Sequence, residues 1–310
     1  MTDQAENLRN IMRKKMGAAE IHDDEPVVRE SEITIPPPPP VPISARLITV
    51  TSGKGGVGKT NFTINLALSL SKIGKRVAII DADFGLANIE VLLGIIPKYS
   101  IADIFSGART VGEVIADGPL GIKFLSGGSG LRNMANITEE QISFLIEQFA
   151  YLDTIADVIL VDTGAGITDS VINFVRASGE IIIITTPEPT SITDAYAVIK
   201  SAKEDGGNVP QINVVINRVD DFDEGAEVFS KLARVTQKFL GLTLINLGYI
   251  PYDTNLVKAV KKQQPVVLSF PDSVSAECIE RISKLLFEIE TPRKNAGVKN
   301  FIKKLSAIFK

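Results

Sequence analysis

Residues 53–60, Gly53-Lys54-Gly55-Gly56-Val57-Gly58-Lys59-Thr60, bring four glycines, two lysines and a hydroxyl into one short stretch. Glycines at this density let successive backbone N–H groups turn inward on an anion, and the G-x-x-x-x-G-K-[ST] spacing is that of a phosphate loop when a strand precedes it and a helix follows. Both flanks are present, an apolar run at 47–51 and a helical pattern at 59–73. The positive end of that helix faces the same anion, Lys59 reaches β- and γ-phosphate oxygens, Thr60 ligates Mg²⁺, and Asn61 follows on the first turn. The chemistry implied is ATP binding with Mg²⁺. Two carboxylate motifs come later: Asp81-Ala82-Asp83 closes one apolar run, and Asp162-Thr163-Gly164-Ala165-Gly166 closes another. Carboxylates at strand C-terminal ends lie at the phosphate edge of an open parallel sheet. Asp162 is then placed to hold Mg²⁺ through water, and Gly164 and Gly166 can supply a switch that senses a γ-phosphate. Either acidic motif alone would also suit a helix N-cap; three motifs in this order favour the phosphate site.

These residues need a frame. From Arg46 onward apolar runs alternate with helical stretches, the rhythm of a mostly parallel sheet covered on both faces. The pattern predicts an α/β domain over 46–291, with strands at 47–51, 77–81, 122–125, 158–162, 181–185, 212–217 and 244–247. Helices are predicted at 59–73, 138–151, 192–203, 227–239, 254–261 and 274–288. Ahead of the domain, residues 17–45 carry the acids Asp23, Asp24 and Glu25 and the run Pro36 to Pro40, a stiff spacer.

Composition excludes several classes. One cysteine and one histidine rule out an internal disulfide and a Cys/His metal site. The longest apolar runs fall far short of the roughly 20 residues that cross a bilayer, and the first 25 residues lack a secretory signal, so a cytoplasmic location is expected. Residues 293–310 hold six cations and no acid which, against an overall charge of −4, leaves residues 1–292 at −10. With an acidic body, no Trp and few aromatics, no specific nucleic-acid partner is expected.

The extra lysine, Lys54 of Lys54-Gly55-Gly56-Val57-Gly58-Lys59-Thr60, resembles the signature lysine of the deviant Walker-A ATPases, the family that includes MinD and ParA. That resemblance implies an ATP-dependent homodimer in which Lys54 crosses the interface to the partner's phosphates. It also implies that Asp83 orients the attacking water, that Asp81 stands near the metal, and that Asn217, Arg218, Pro251 and Asp253 surround adenine. After Asp83 the chain reads Phe84-Gly85-Leu86-Ala87-Asn88, similar to the MinD branch. Residues 162–166 and 185–196 (TTPEPTSITDAY) look like the FlhG (YlxH, FleN) flagellar-number regulators.

The terminal segments extend this resemblance. Residues 1–16 can form a short amphipathic helix, and Asp3-Gln4-Ala5-Glu6-Asn7-Leu8-Arg9 resembles the motif through which that group stimulates the GTPase FlhF, which would make Asp3, Gln4, Ala5, Leu8 and Arg9 partner-binding. The resemblance is also compatible with flagellar C-ring or transcription-activator partners. At the other end, residues 292–310 form a linker and a helix in which Phe301, Ile302, Leu305, Ile308 and Phe309 make one apolar stripe beside Lys303 and Lys304. That is the pattern of an interfacial helix on an anionic membrane; a terminal helix docked on its own domain would show the same stripe, but the cations without acids and the linker at 292–297 favour the membrane. The expectation is peripheral attachment to the inner face of the cell membrane in the ATP state. The output would be control of flagellar number and placement; a MinD-type positioning ATPase that acts by surface recruitment alone is the alternative.

Overall fold

Arg46–Ser52 is apolar and β-branched, and it forms β1 near the middle of the sheet. The computed structural model describes residues 44–83, 88–127, 139–203, 209–289 and 297–308. The predicted helix at 1–16, its FlhF-facing residues, the proline run and Phe309 lie outside the described residues. After β1 come α1 (Lys59–Lys72), β2 (Val77–Ala82) and three short helices, α2 (Asn88–Leu93), α3 (Ile101–Phe105) and α4 (Val111–Val114). Then follow β3 (Ala116–Asp117), β4 (Lys123–Leu125), α5 (Glu139–Ala150), α6 (Leu152–Ile155), β5 (Val158–Ala165) and α7 (Asp169–Ala177). The chain continues with β6 (Glu180–Thr185), α8 (Pro189–Lys203), β7 (Gln211–Val219), α9 (Phe222–Leu240) and β8 (Ile245–Pro251). It closes with α10 (Thr254–Lys261), α11 (Val266–Ser269), α12 (Val274–Glu288) and α13 (Val298–Ile308).

The sheet runs β3-β4-β2-β5-β1-β6-β7-β8, parallel except for the β3–β4 pair. The expected α/β class with a mostly parallel sheet is therefore what the chain adopts. Successive strand residues face opposite sides. Ile48, Val50, Val158, Leu160, Ile182 and Ile184 pack with α1 and α12 on one face. On the other, Leu47, Ile159 and Val161 meet α5, α6 and α7, while Ile181 and Ile183 meet α8 and α9. Burial on both faces explains why these strands read as continuous apolar runs.

Several elements differ from expectation. Helix α9 begins five residues before the predicted start because Asp221 caps it, its carboxylate accepting from Glu224 N at 2.8 Å. Gly225 inside that helix is no breaker: a Cβ there would lie 2.5 Å from the Tyr249 ring, so the residue permits close helix–strand approach. The last strand runs on through Gly248 to Pro251.

The C-terminal helix is folded onto the domain. In α13, Val298, Phe301 and Leu305 are buried against Leu145 and Phe149 of α5 and Phe174 and Ala177 of α7. The Phe301 and Phe174 rings lie 5.9 Å apart. Of the two settings the stripe allows, this structure shows the docked one. Asp153 Oδ1 accepts from Val298 N at 3.5 Å and from Ala45 N at 3.2 Å, so one carboxylate oxygen ties the start of the tail helix to the entrance of β1.

Candidate functional site

The strand order brings the acidic motifs to the phosphate loop. β5 lies between β1 and β2, and the parallel β2–β5 register sets Asp81 directly beside Asp162. Lys59 Nζ contacts Asp162 Oδ1 at 2.9 Å, and Thr63 Oγ1, one helical turn along α1, donates to the same oxygen at 3.0 Å. Thr63 was invisible as a site residue; its i+4 spacing from Lys59 is the one available signal. Lys59 Nζ also reaches Thr60 Oγ1 at 3.4 Å. Burial, helped by the neighbouring Asp162 charge, pushes the Asp81 carboxyl up to about 8. Asp81 Oδ2 and Asp162 Oδ2 are both buried without a hydrogen-bond partner. Unpartnered buried oxygens of this kind are costly unless something binds there. A hydroxyl, two carboxylates and the space for phosphate oxygens and water are the hard donor set that suits Mg²⁺, which takes few protein ligands. Thr60, Asp81 and Asp162 would hold it.

Asp83 stands at the mouth, where its N–H donates to Asp81 Oδ1 (3.1 Å) and its Oδ2 accepts from Asn88 Nδ2 (3.0 Å). Burial pushes its carboxyl above the usual range, opposed by the Lys59 charge. Gly164 allows this approach, since a Cβ there would sit 3.4 Å from Asp83 Oδ1. The loop is welded to its surroundings. A Cβ on Gly53 would strike the Asp194 backbone of α8 at 2.2 Å, and Asn217 Nδ2 donates to Val57 O at 2.7 Å.

A cleft of about 680 Å³ opens over the loop. Gly55, Gly56, Gly58, Lys59, Thr60, Asn61, Asp83, Asn217 and Arg218 line it, with Leu256, Val260, Ile250 and Ile279 as an apolar wall. Arg218 holds φ 60° at a register shift between β7 and β8, an uncommon conformation for a non-glycine residue that turns up at ligand sites. Pro251 and Asp253 are not among the lining residues. Asp253 instead caps α10 through Asn255 N (2.7 Å) and accepts from Ser275 Oγ (2.7 Å); burial opposes its ionisation, but these bonds hold its carboxyl below the usual range. Lys54 points out of the cradle: its Nζ meets Glu188 Oε2 at 2.5 Å and Thr190 Oγ1 at 3.0 Å.

A model of the ParA family, described as an iron-transfer P-loop NTPase of NUBPL type, matches residues 44–287. The chain belongs to the MinD/ParA family of P-loop NTPases. Among curated relatives of this MinD/ParA chain, the antiactivator FleN of Pseudomonas aeruginosa is 42% identical over 252 residues, covering 81% of this chain and 90% of FleN. The flagellum site-determining protein YlxH of Helicobacter pylori is 33% identical over 270 residues, covering 84% and 90%. Among solved structures, MinD from the Aquifex aeolicus MinC:MinD complex aligns at 27% identity with a TM-score of 0.64, covering 82% of this chain and all of that one. Family membership makes the chain a nucleotide- and Mg²⁺-using ATPase of MinD/ParA type, in the group that resembles flagellar regulators. Iron transfer does not fit a chain whose one cysteine, Cys278, is buried in α12. Among the described residues no helix is long and apolar enough to cross a membrane.

Proposed function

We propose that this MinD/ParA ATPase is a dimerising switch of the flagellar-regulator type, in which ATP closes a homodimer, the tail helix engages an anionic membrane, and hydrolysis reverses both. The observation that carries the reading is the position of Lys54. A lysine inside a phosphate loop that turns away from its own cradle, and rests on Glu188 and Thr190 at the surface, is available to phosphates supplied by a second copy. The clasp is exposed and therefore weak and exchangeable.

Inside the cradle, Lys59 neutralises Asp162 before nucleotide arrives. With nucleotide bound, Thr60, Asp81 and Asp162 would hold Mg²⁺, which would supply charge neutralisation at the phosphates, and Lys59 would exchange Asp162 for the β- and γ-phosphate oxygens. Asp83, raised in pKa by burial and steadied by Asn88, positions the attacking water. The signal passes along β5: Gly164 lies against Asp83, Gly166 N donates to Ser52 O at 2.9 Å, and α7 begins three residues later. Because Phe174 of α7 touches Phe301, movement of that loop acts on the tail docking groove. A free tail would then offer Phe301, Ile302, Leu305, Ile308 and Phe309 to lipid, with Lys303 and Lys304 toward the headgroups, and two tails per dimer add avidity. Residues 1–16, with Gln4 as the group presented to an active site, stimulate FlhF.

The experiment is the oligomeric state of the full chain with ATP and with ADP, with and without anionic vesicles, alongside GTP turnover by FlhF with a peptide of residues 1–16. The reading expects an ATP-specific dimer that sediments with vesicles, and faster GTP turnover. A chain that stays monomeric with ATP refutes the switch. An inert peptide limits the output to surface recruitment.

A further inference from the structure

The first turns of α1 carry a buried chain of amides that the phosphate and metal assignments leave unused. Val267 N–H, in the first turn of α11, donates to Asn65 Oδ1 at 3.1 Å. Asn65 Nδ2 donates onward to Asn61 O at 2.8 Å and to Asn61 Oδ1 at 3.1 Å. Asn65 is fully buried, one helical turn from Asn61 on the same face. This geometry fixes polarity at every link. A backbone N–H can only donate, so the Asn65 atom that faces Val267 is its carbonyl oxygen and its NH₂ faces Asn61. Asn61 must answer with its own carbonyl oxygen, which turns its NH₂ the other way. Asn61 lines the cleft, and among the described residues none accepts from its Nδ2. The first-turn N–H groups of a helix lack partners inside it, so α11 needs Asn65 as acceptor and the order of the chain cannot reverse cheaply.

We infer that Asn65 is a positioning residue that locks the Asn61 amide with its donor end toward the bound nucleotide, where it meets an oxygen of the α-phosphate. The inference rests on the nucleotide-site reading. Lys59 serves the β- and γ-phosphates and Thr60 the metal, whereas Asn61, farther along the helix from the loop, faces the inner end of the polyphosphate. Phosphate oxygens are pure acceptors, so a locked donor is favourable and a flipped amide is repelled.

The test is calorimetric titration of ADP into the Mg²⁺-loaded full chain, with unfolding midpoints measured without nucleotide. Asn65→Asp keeps the acceptor for Val267 but offers Asn61 a second acceptor in place of the donor, so the Asn61 amide flips and shows its oxygen to the phosphate. Loss of a hydrogen bond to a charged group predicts an ADP affinity about tenfold or more weaker. Because Asn65 acts through Asn61, Asn65→Asp should cost nothing further in an Asn61→Ala background. An equal loss with and without Asn61 assigns Asn65 to general packing and overturns the inference, as does unchanged affinity in Asn65→Asp. If Asn65→Asp does not fold, Asn61→Asp decides. The Asn65 NH₂ would pin one carboxylate oxygen and aim the other at phosphate, so the loss must exceed that of Asn61→Ala; equal losses refute the lock. Adenosine affinity should be the same in native and Asn61→Ala chains, and a parallel loss moves the donor to ribose or base and overturns the α-phosphate assignment. A native chain that fails to bind ADP refutes the nucleotide site itself, a separate result.

Discussion

Shortening Phe174 to alanine tests the tail groove without altering the tail. Phe174 is buried in the same apolar cluster as Phe149, Phe301 and Leu305, and its ring stands 5.9 Å from that of Phe301. Removing a buried Phe ring costs about 3–5 kcal/mol overall. Most of that falls on the domain, because the ring also packs beneath the sheet. The share that belongs to α13 is the aromatic pair, worth roughly 0.5–1.5 kcal/mol, plus part of the apolar area, so tail docking should weaken by about 1–2 kcal/mol. Each 1.4 kcal/mol is a factor of ten, so amides of Val298–Ile308 should exchange with solvent about tenfold faster. Amides of β1 and β5 report the global loss, and the excess of tail exchange over strand exchange is the quantity of interest. In vesicle sedimentation, Phe174→Ala should bind anionic lipid with ADP or without nucleotide, because the stripe is already free part of the time. If tail exchange only tracks the strands and vesicle binding stays strictly ATP-dependent, the groove does not restrain the tail and the switch reading loses its output.

Three further outcomes are expected. Lys54→Ala should abolish ATP turnover while ADP binding by calorimetry stays near native, whereas Glu188→Gln, by loosening the clasp, should raise the dimer fraction in light scattering at a given ATP concentration. Asp83→Ala should cut turnover about 10²–10⁴-fold and accumulate an ATP-bound dimer, since water positioning is lost and phosphate binding kept. Asp81→Asn should stabilise the nucleotide-free, Mg²⁺-free chain at pH 8 and leave it nearly unchanged at pH 4. The native Asp81 holds its proton to about 8 when folded and loses it from 3.8 upward when unfolded, so it opposes folding increasingly across that window. Thermal melts of both proteins against pH check the sign: the gain should grow with pH, and a constant or falling gain contradicts it.

Much of the site was legible because glycine density and a lysine–threonine pair have few other uses, and because buried strands read as apolar runs. The pairing of Asp81 with Asp162 was not, since it depends on β5 sitting between β1 and β2. Nor was the Lys54 clasp, which spans 134 residues and has no local pattern. The helices α2, α3 and α4 escaped because four to six residues are too few to show a 3.6 period. In α9 the first five residues escaped, because the reason for Gly225 inside them is Tyr249, which comes from a distant strand. For α13 the stripe announced a helix but not its neighbour: lipid and a groove between two helices present the same apolar chemistry to Phe301.

The single oxygen of Asp153 shared by Ala45 and Val298 has a mechanical meaning. Two backbone nitrogens bound to one atom at 3.2 and 3.5 Å stand no more than about 7 Å apart, so the entrance of β1 and the start of α13 are anchored at one point of the body. The body therefore has a single hitching post. A displacement of the tail helix at its first turn is therefore felt at the first residue before β1, and through it at the strand that leads into the phosphate loop.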